Sequence, residues 1–207
     1  MDNPRDIVFE SAGPSAVKSI KQRDFLNTWL RLYAHDQQLP RLADYRPERI
    51  EDEVADIVYY SVDAGRDKLP RVVIESQGAR LANAYGKIGG GQDLDIFLGA
   101  KLAPVVMPIY YECIRRRLPI YTISKVVDSR GRDVDYERLL LPFSDGDSVT
   151  RILASLKTIS EDGGFEISNL LRGSDALPVF ALGCVIDRDL FHAKPAGGCA
   201  SDIIEFN

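Results

Sequence analysis

The chain has 207 residues, 26 Lys and Arg against 31 Asp and Glu, a formal net charge of −5, and 45% hydrophobic against 28% charged residues. That balance fits a folded core rather than extended disorder, and the acid excess argues against a basic nucleic-acid-binding domain, so no nucleic-acid partner is expected. Two histidines and three widely spaced cysteines without a CxxC pair offer no nucleus for a zinc centre or a disulfide framework, so no metal site is expected.

The N-terminus, MDNPRDIVFE, lacks the basic start and apolar centre of a secretory signal, and the first dozen residues read as irregular. No run approaches the apolar length needed to span a bilayer, so the expected location is cytoplasmic, with no membrane partner. Gly13-Pro14-Ser15 offers a turn and a helix cap, and the pattern becomes helical from Ala16 to Tyr33. Phe25, Leu26, Trp29, Leu30 and Tyr33 form one broad apolar stripe at helical spacing. Such a stripe packs on its own domain or is shared with a second subunit. Its breadth points to a homodimer contact.

Leu39-Pro40-Arg41 opens an irregular segment, and Pro47 sits where a short helix through Val54 can start. Glu48, Glu51, Asp52 and Glu53 then read as a solvated helix start, favoured by the helix dipole. Ile57 to Val62 and Arg71 to Ser76 read as a strand hairpin, and Gly78 to Gly86 as a short helix or irregular connection. Gly89-Gly90-Gly91 belongs to no phosphate-binding motif. Helix-like spacing follows from Ile96 to Leu118, with Pro104 and Pro108 predicting a break or a start near Pro104, and Arg115 to Arg117 supplying charge to the last turn.

Residues 118–159 make the clearest pattern. Three apolar runs of strand length are separated by DSRGRDV and DGDSV turns, as in an antiparallel meander. A helix feeding such a meander predicts a helix laid across a curved sheet, with a pocket between them. Beyond it, Glu161 to Gly164 reads as a turn, Phe165 to Leu171 as a short helix or strand, Pro178 to Arg188 as another strand, and Ala193 to Cys199 as a mobile tail. With no repeat and no second linker, residues 1–207 are expected to form one domain. Residues 1–38 are its helical extension, 39–159 its core and 160–207 a C-terminal extension.

Alternation along Asp133 to Leu141 places Val134, Tyr136, Arg138 and Leu140 on one face and Asp135, Glu137, Leu139 and Leu141 on the other. Tyr121, Ile123 and Lys125 share a face of the preceding strand. A buried Tyr or Arg needs a polar partner, which a ligand, the backbone or a carboxylate can supply. No catalytic residue is expected: there is no GxSxG elbow, and a Cys–His pair would need Cys113 or Cys184 to meet His35 or His192 in space.

Trp29, Leu39-Pro40-Arg41, Pro47, Gly78, Tyr85-Gly86 and the run Tyr136 to Pro142 occur in an order that resembles bacterial PAS-like (Per-Arnt-Sim) proteins, in which a helix precedes the PAS fold. The likeness spans roughly residues 23–157. It implies an α+β fold with a five-stranded antiparallel sheet and helices on one face. It also implies a sensory or signalling role, and dimerisation through flanking helices. Gly78-Ala79 stands where the family's typical Gly-Thr would be. No kinase, cyclase or helix-turn-helix pattern follows, so output is expected through a homodimer or a signalling protein partner. The expected small-molecule site lies between the 104–117 helix and the sheet, near Asn83, Tyr85, Tyr110, Tyr121, Tyr136 and Arg138. No cofactor is indicated. A ligand-free interaction scaffold is the alternative, and an enzyme of unrecognised type stands behind both.

Overall fold

The structure is a computed structural model in which residues 7–36, 38–63, 69–127, 133–159 and 177–187 are described. β2 (Ile57–Asp63) and β3 (Arg71–Gln77) form the expected hairpin. The expected meander is β4 (Ile120–Val127), β5 (Asp133–Phe143) and β6 (Arg151–Ile159). β2 also pairs with β6, so the five strands run β3-β2-β6-β5-β4, antiparallel throughout.

The sheet does not stop there, and the expectation of five antiparallel strands is corrected to a mixed sheet of seven. β7 (Val179–Ile186) adds antiparallel to β4, and β1 (Glu10–Ala12) adds parallel to β7, giving the order β1-β7-β4-β5-β6-β2-β3. Left open, the outer edge of β4 would expose a row of unpaired N–H and C=O groups. β7 pairs with that edge. Three-residue β1 carries no alternation that sequence reading can find, and the first dozen residues are accordingly not all irregular.

Helices lie on both faces rather than on one. α1 (Ile20–Asp36) covers the face that carries Leu139, Leu141 and Phe143. It is fixed there by Trp29 Nε1 donating to Pro142 O (2.7 Å) and Gln22 Nε2 donating to Ser155 O (2.9 Å). The Tyr45 hydroxyl donates to Phe25 O (3.0 Å) while its ring meets Phe143 edge-on. Phe25, Leu26 and Trp29 are therefore fully buried inside their own chain, and only Leu30 and Tyr33 keep part of their surface. The stripe read as a dimer contact is mostly spent on the chain's own sheet.

α2 (Ile50–Glu53) and a 3-10 turn (Val54–Asp56) lead into β2. α3 (Ala79–Tyr85) and α4 (Leu94–Arg116) link the hairpin to the meander. α4 packs on β3, β4 and β5. Its break falls at Gly99, whose φ of 76° and ψ of 173° leave the helical region, and not at Pro104 or Pro108. Glycine adopts that φ without the Cβ clash any other residue would meet. By length and composition alone α4 is long and apolar enough to cross a membrane, contrary to the sequence expectation, and part of it is buried against the sheet. The elements expected at 161–164, 165–171 and 193–199 lie outside the described residues.

Gly78 ties the hairpin to the turn before it. Its N–H donates to Ile57 O (2.9 Å), and a Cβ there would stand 2.3 Å from both Val54 O and Ala55 O. Backbone cannot swing away as a side-chain end can. Gly78→Ala is expected to cost about 1–3 kcal/mol, read as a lower urea midpoint at unchanged slope. A midpoint equal to the parent's would show that these backbones separate freely.

Candidate ligand site

Residues of alternate parity on β4 and β5 point toward α4, and they pair across the ladder: Thr122 with Arg138, and Ser124 with Tyr136. Above them stand Leu98, Leu102 and Val106, four apart in sequence, with the Gly99 break between the first and the other two. Tyr85, at the end of α3, and Phe180, on β7, close the sides. These groups, apart from Thr122, enclose with Val126 and Pro178 a space of about 20 Å³. A single ordered water needs about 10–15 Å³. Leu102, Tyr85, Pro178 and Phe180 keep partial exposure and form the mouth, whereas Tyr136 and Arg138 form the buried end.

Arg138 is only 4% exposed. Its guanidinium carbon lies 5.4 Å from the Tyr136 ring centroid and 6.0 Å from that of Tyr110. Its Nε and Nη1 have no hydrogen-bond partner among the described residues, nor does Thr122 Oγ1 on the same face, while the Tyr136 hydroxyl faces only that of Tyr85. No carboxylate of a described residue pairs with it. The tyrosines cannot supply the missing charge. Burial pushes the hydroxyls of Tyr60 and Tyr136 far above the ordinary tyrosine range and that of Tyr110 up to about 12, so all three are neutral near pH 7. Tyr110 donates to Tyr60 (3.0 Å), which anchors the layer behind Arg138.

The opposite face treats its charges differently. Glu53, read from sequence as part of a solvated helix start, is 1% exposed and pairs with Lys21 and Lys157. Asp56 is also buried and meets Lys157 Nζ at 2.6 Å and Arg80 Nη1 at 2.8 Å. Two buried carboxylates thus share three cations. Glu137 lies buried on this face beside Tyr121, and burial pushes its carboxyl above the usual range.

Of the six residues expected at a ligand site, Tyr85, Tyr136 and Arg138 meet at the crevice. Tyr110 stands one layer behind them. Asn83 is exposed on α3 and does not line the space. Tyr121 is corrected to the other face: one residue out of step with Thr122, it accepts a hydrogen bond from the Lys18 N–H (3.3 Å) at the approach to α1. Ser124 and the row at 98, 102 and 106 went unread, although strand parity and fourfold spacing carry both. Phe180 left no signal, because nothing in the sequence says that β7 pairs with β4. The Cys–His pairing is not assembled among the described residues. Cys113 is fully buried, with its thiol pushed far up by burial, whereas His35 is exposed beside Asp36.

The fold and site define an α+β domain with a mixed seven-stranded sheet and a small internal crevice ending on a buried arginine. No family model matches the chain, and no curated protein matches it. A solved chain presented as "Flavin Analogue Sheds Light on Light-Oxygen-Voltage Domain Mechanism" is similar in structure at a TM-score of 0.40 and 13% identity, over 56% of this chain and 85% of that one.

Proposed function

We propose that this chain is a cytosolic sensory module of PAS type that binds a small molecule in the crevice between α4 and the sheet. The observation that carries the reading is Arg138: a buried cation whose Nε and Nη1 have no partner among the described residues, at the end of a mostly apolar space. A few convergent polar groups within apolar walls are what a small-molecule site requires. The order of elements supports the class: helix, strand hairpin, short helical connection, long helix and meander, with five adjacent antiparallel strands inside the larger sheet. Output passes through a homodimer or a signalling protein partner. Leu30 and Tyr33 are the stripe residues with surface left to contribute to either.

The small enclosed volume favours one rival, a ligand-free interaction scaffold whose core is filled by its own side chains. Native mass spectrometry of freshly purified protein, followed by thermal-shift screening, separates the two. The expected result is a reproducible bound mass or a stabilising compound, lost in Tyr136→Ala while circular dichroism shows the fold retained. Absence of any bound mass and any stabilising compound would favour the scaffold.

A further inference from the structure

We infer that the crevice selects a monoanion, specifically a small carboxylate, held head-first on Arg138. This rests on the ligand-binding reading above and adds the charge and size of what is bound.

The unsatisfied groups on this face make the case by their polarity. Arg138 Nε and Nη1 can only donate, and the Tyr136 and Thr122 hydroxyls can donate as well. Among the described side chains, no buried atom that can only accept is left over beside them. The buried carboxylates belong to the α1 face, where Glu53 and Asp56 pair with Lys157 and Glu137 lies against Tyr121. A cluster of spare donors around a fixed positive charge calls for an acceptor that is also negative.

Charge count sets the valence. Arginine stays protonated throughout the accessible pH range. Among the described residues lining the crevice it is the one that carries charge. A single guanidinium balances one negative charge. A dianion such as hydrogen phosphate would bring a second charge into apolar walls with no cation to meet it. Planar carboxylate oxygens also suit the guanidinium geometry.

Size sets the rest. About 20 Å³ is little more than the room for one ordered water, so it takes the oxygen end of a head group and nothing larger. The body of the ligand therefore lies toward the mouth, against Leu102, Pro178 and Phe180. Apolar contact there favours a short aliphatic or aromatic acid over a polar one.

Isothermal titration of the full chain with acetate, butyrate, hexanoate and benzoate, each paired with its primary amide, tests the idea. Sodium chloride and phosphate serve as inorganic anions. The expected result is saturable binding of at least one carboxylate, at least about tenfold tighter than its amide, a ratio in keeping with a charge-assisted hydrogen bond. Tyr136→Phe, which removes one hydroxyl, is expected to weaken that carboxylate several-fold, and Arg138→Gln to abolish the preference over the amide. Equal affinity for acid and amide would overturn the anion inference and leave the sensory reading standing. Tighter binding of chloride or phosphate than of any carboxylate would overturn the carboxylate assignment. Binding of no acid, amide or inorganic anion, with a bound mass still present in native spectra, would overturn the inference alone. The same null without a bound mass would overturn both.

Discussion

Lys157→Met is expected to lower the unfolding free energy by about 3–5 kcal/mol. Lys157 is the central cation of the α1-face cluster, paired with Glu53 and 2.6 Å from Asp56 Oδ2. Removing it leaves two buried carboxylates short of a partner, and an uncompensated buried charge costs more than the pair contributed. Lys21 and Arg80 cannot make up the loss. Their side chains are 46% and 52% exposed, where water and salt screen the attraction. Urea unfolding monitored by Trp29 fluorescence measures the change, with Lys157→Arg expected to retain most of the stability. A loss under about 1 kcal/mol, the level of an exposed pair, would mean that the outer cations carry the cluster alone.

Arg138→Met should act in the opposite direction, raising the stability of the ligand-free protein by about 1–4 kcal/mol. Two effects compete at this residue. Cation–π attraction contributes about 2 kcal/mol at the desolvated Tyr136 ring and less at Tyr110, which stands at the 6.0 Å limit of such contacts. Holding an ion out of water with unused donors costs several kcal/mol. Methionine keeps similar length and apolar contact while removing the charge. The cost exceeds the stacking gain, so the substitution stabilises. Urea midpoints of the two proteins at matched salt give the comparison. A destabilised Arg138→Met would show that the arginine is held for structure. A stabilised variant that no longer discriminates acid from amide would mark a residue kept for binding at the expense of stability.

The sheet's local pairings were legible in the sequence because turns and period-two alternation are local signals. The hairpin of β2 and β3 and the meander of β4 to β6 follow from them. What joins distant segments was not legible. β1 is three residues long and its partner lies near the far end of the chain, so neither length nor alternation announces it. The face taken by α1 was hidden for a related reason. A broad apolar stripe fixes that a helix is covered, not by what, and here the chain's own β5 and Tyr45 do the covering. At the site, Tyr136 and Arg138 could be placed together by parity alone. Tyr121 was misplaced because the relative register of β4 and β5 was unknown; the observed pairing of Tyr121 with Leu139 puts it on the α1 side. Glu53 reads as solvent-facing in any composition-based account, since the cations that neutralise it come from α1, before it in the chain, and β6, about a hundred residues after it.

The position of β7 also bears on when the crevice comes into being. During synthesis the chain emerges N-terminus first, at about 5–20 residues per second. The α4 wall and the Tyr136 and Arg138 floor are available once the meander has emerged. Phe180, which closes one side of the crevice, arrives only with the last described strand, and the pairing of Glu10 with Cys184 must wait for it as well. Until then the outer edge of β4 is unpaired and the arginine is open to water on that side. The nascent chain can thus build most of its core without desolvating Arg138, and the cost of burying that charge falls on the final closure of the sheet.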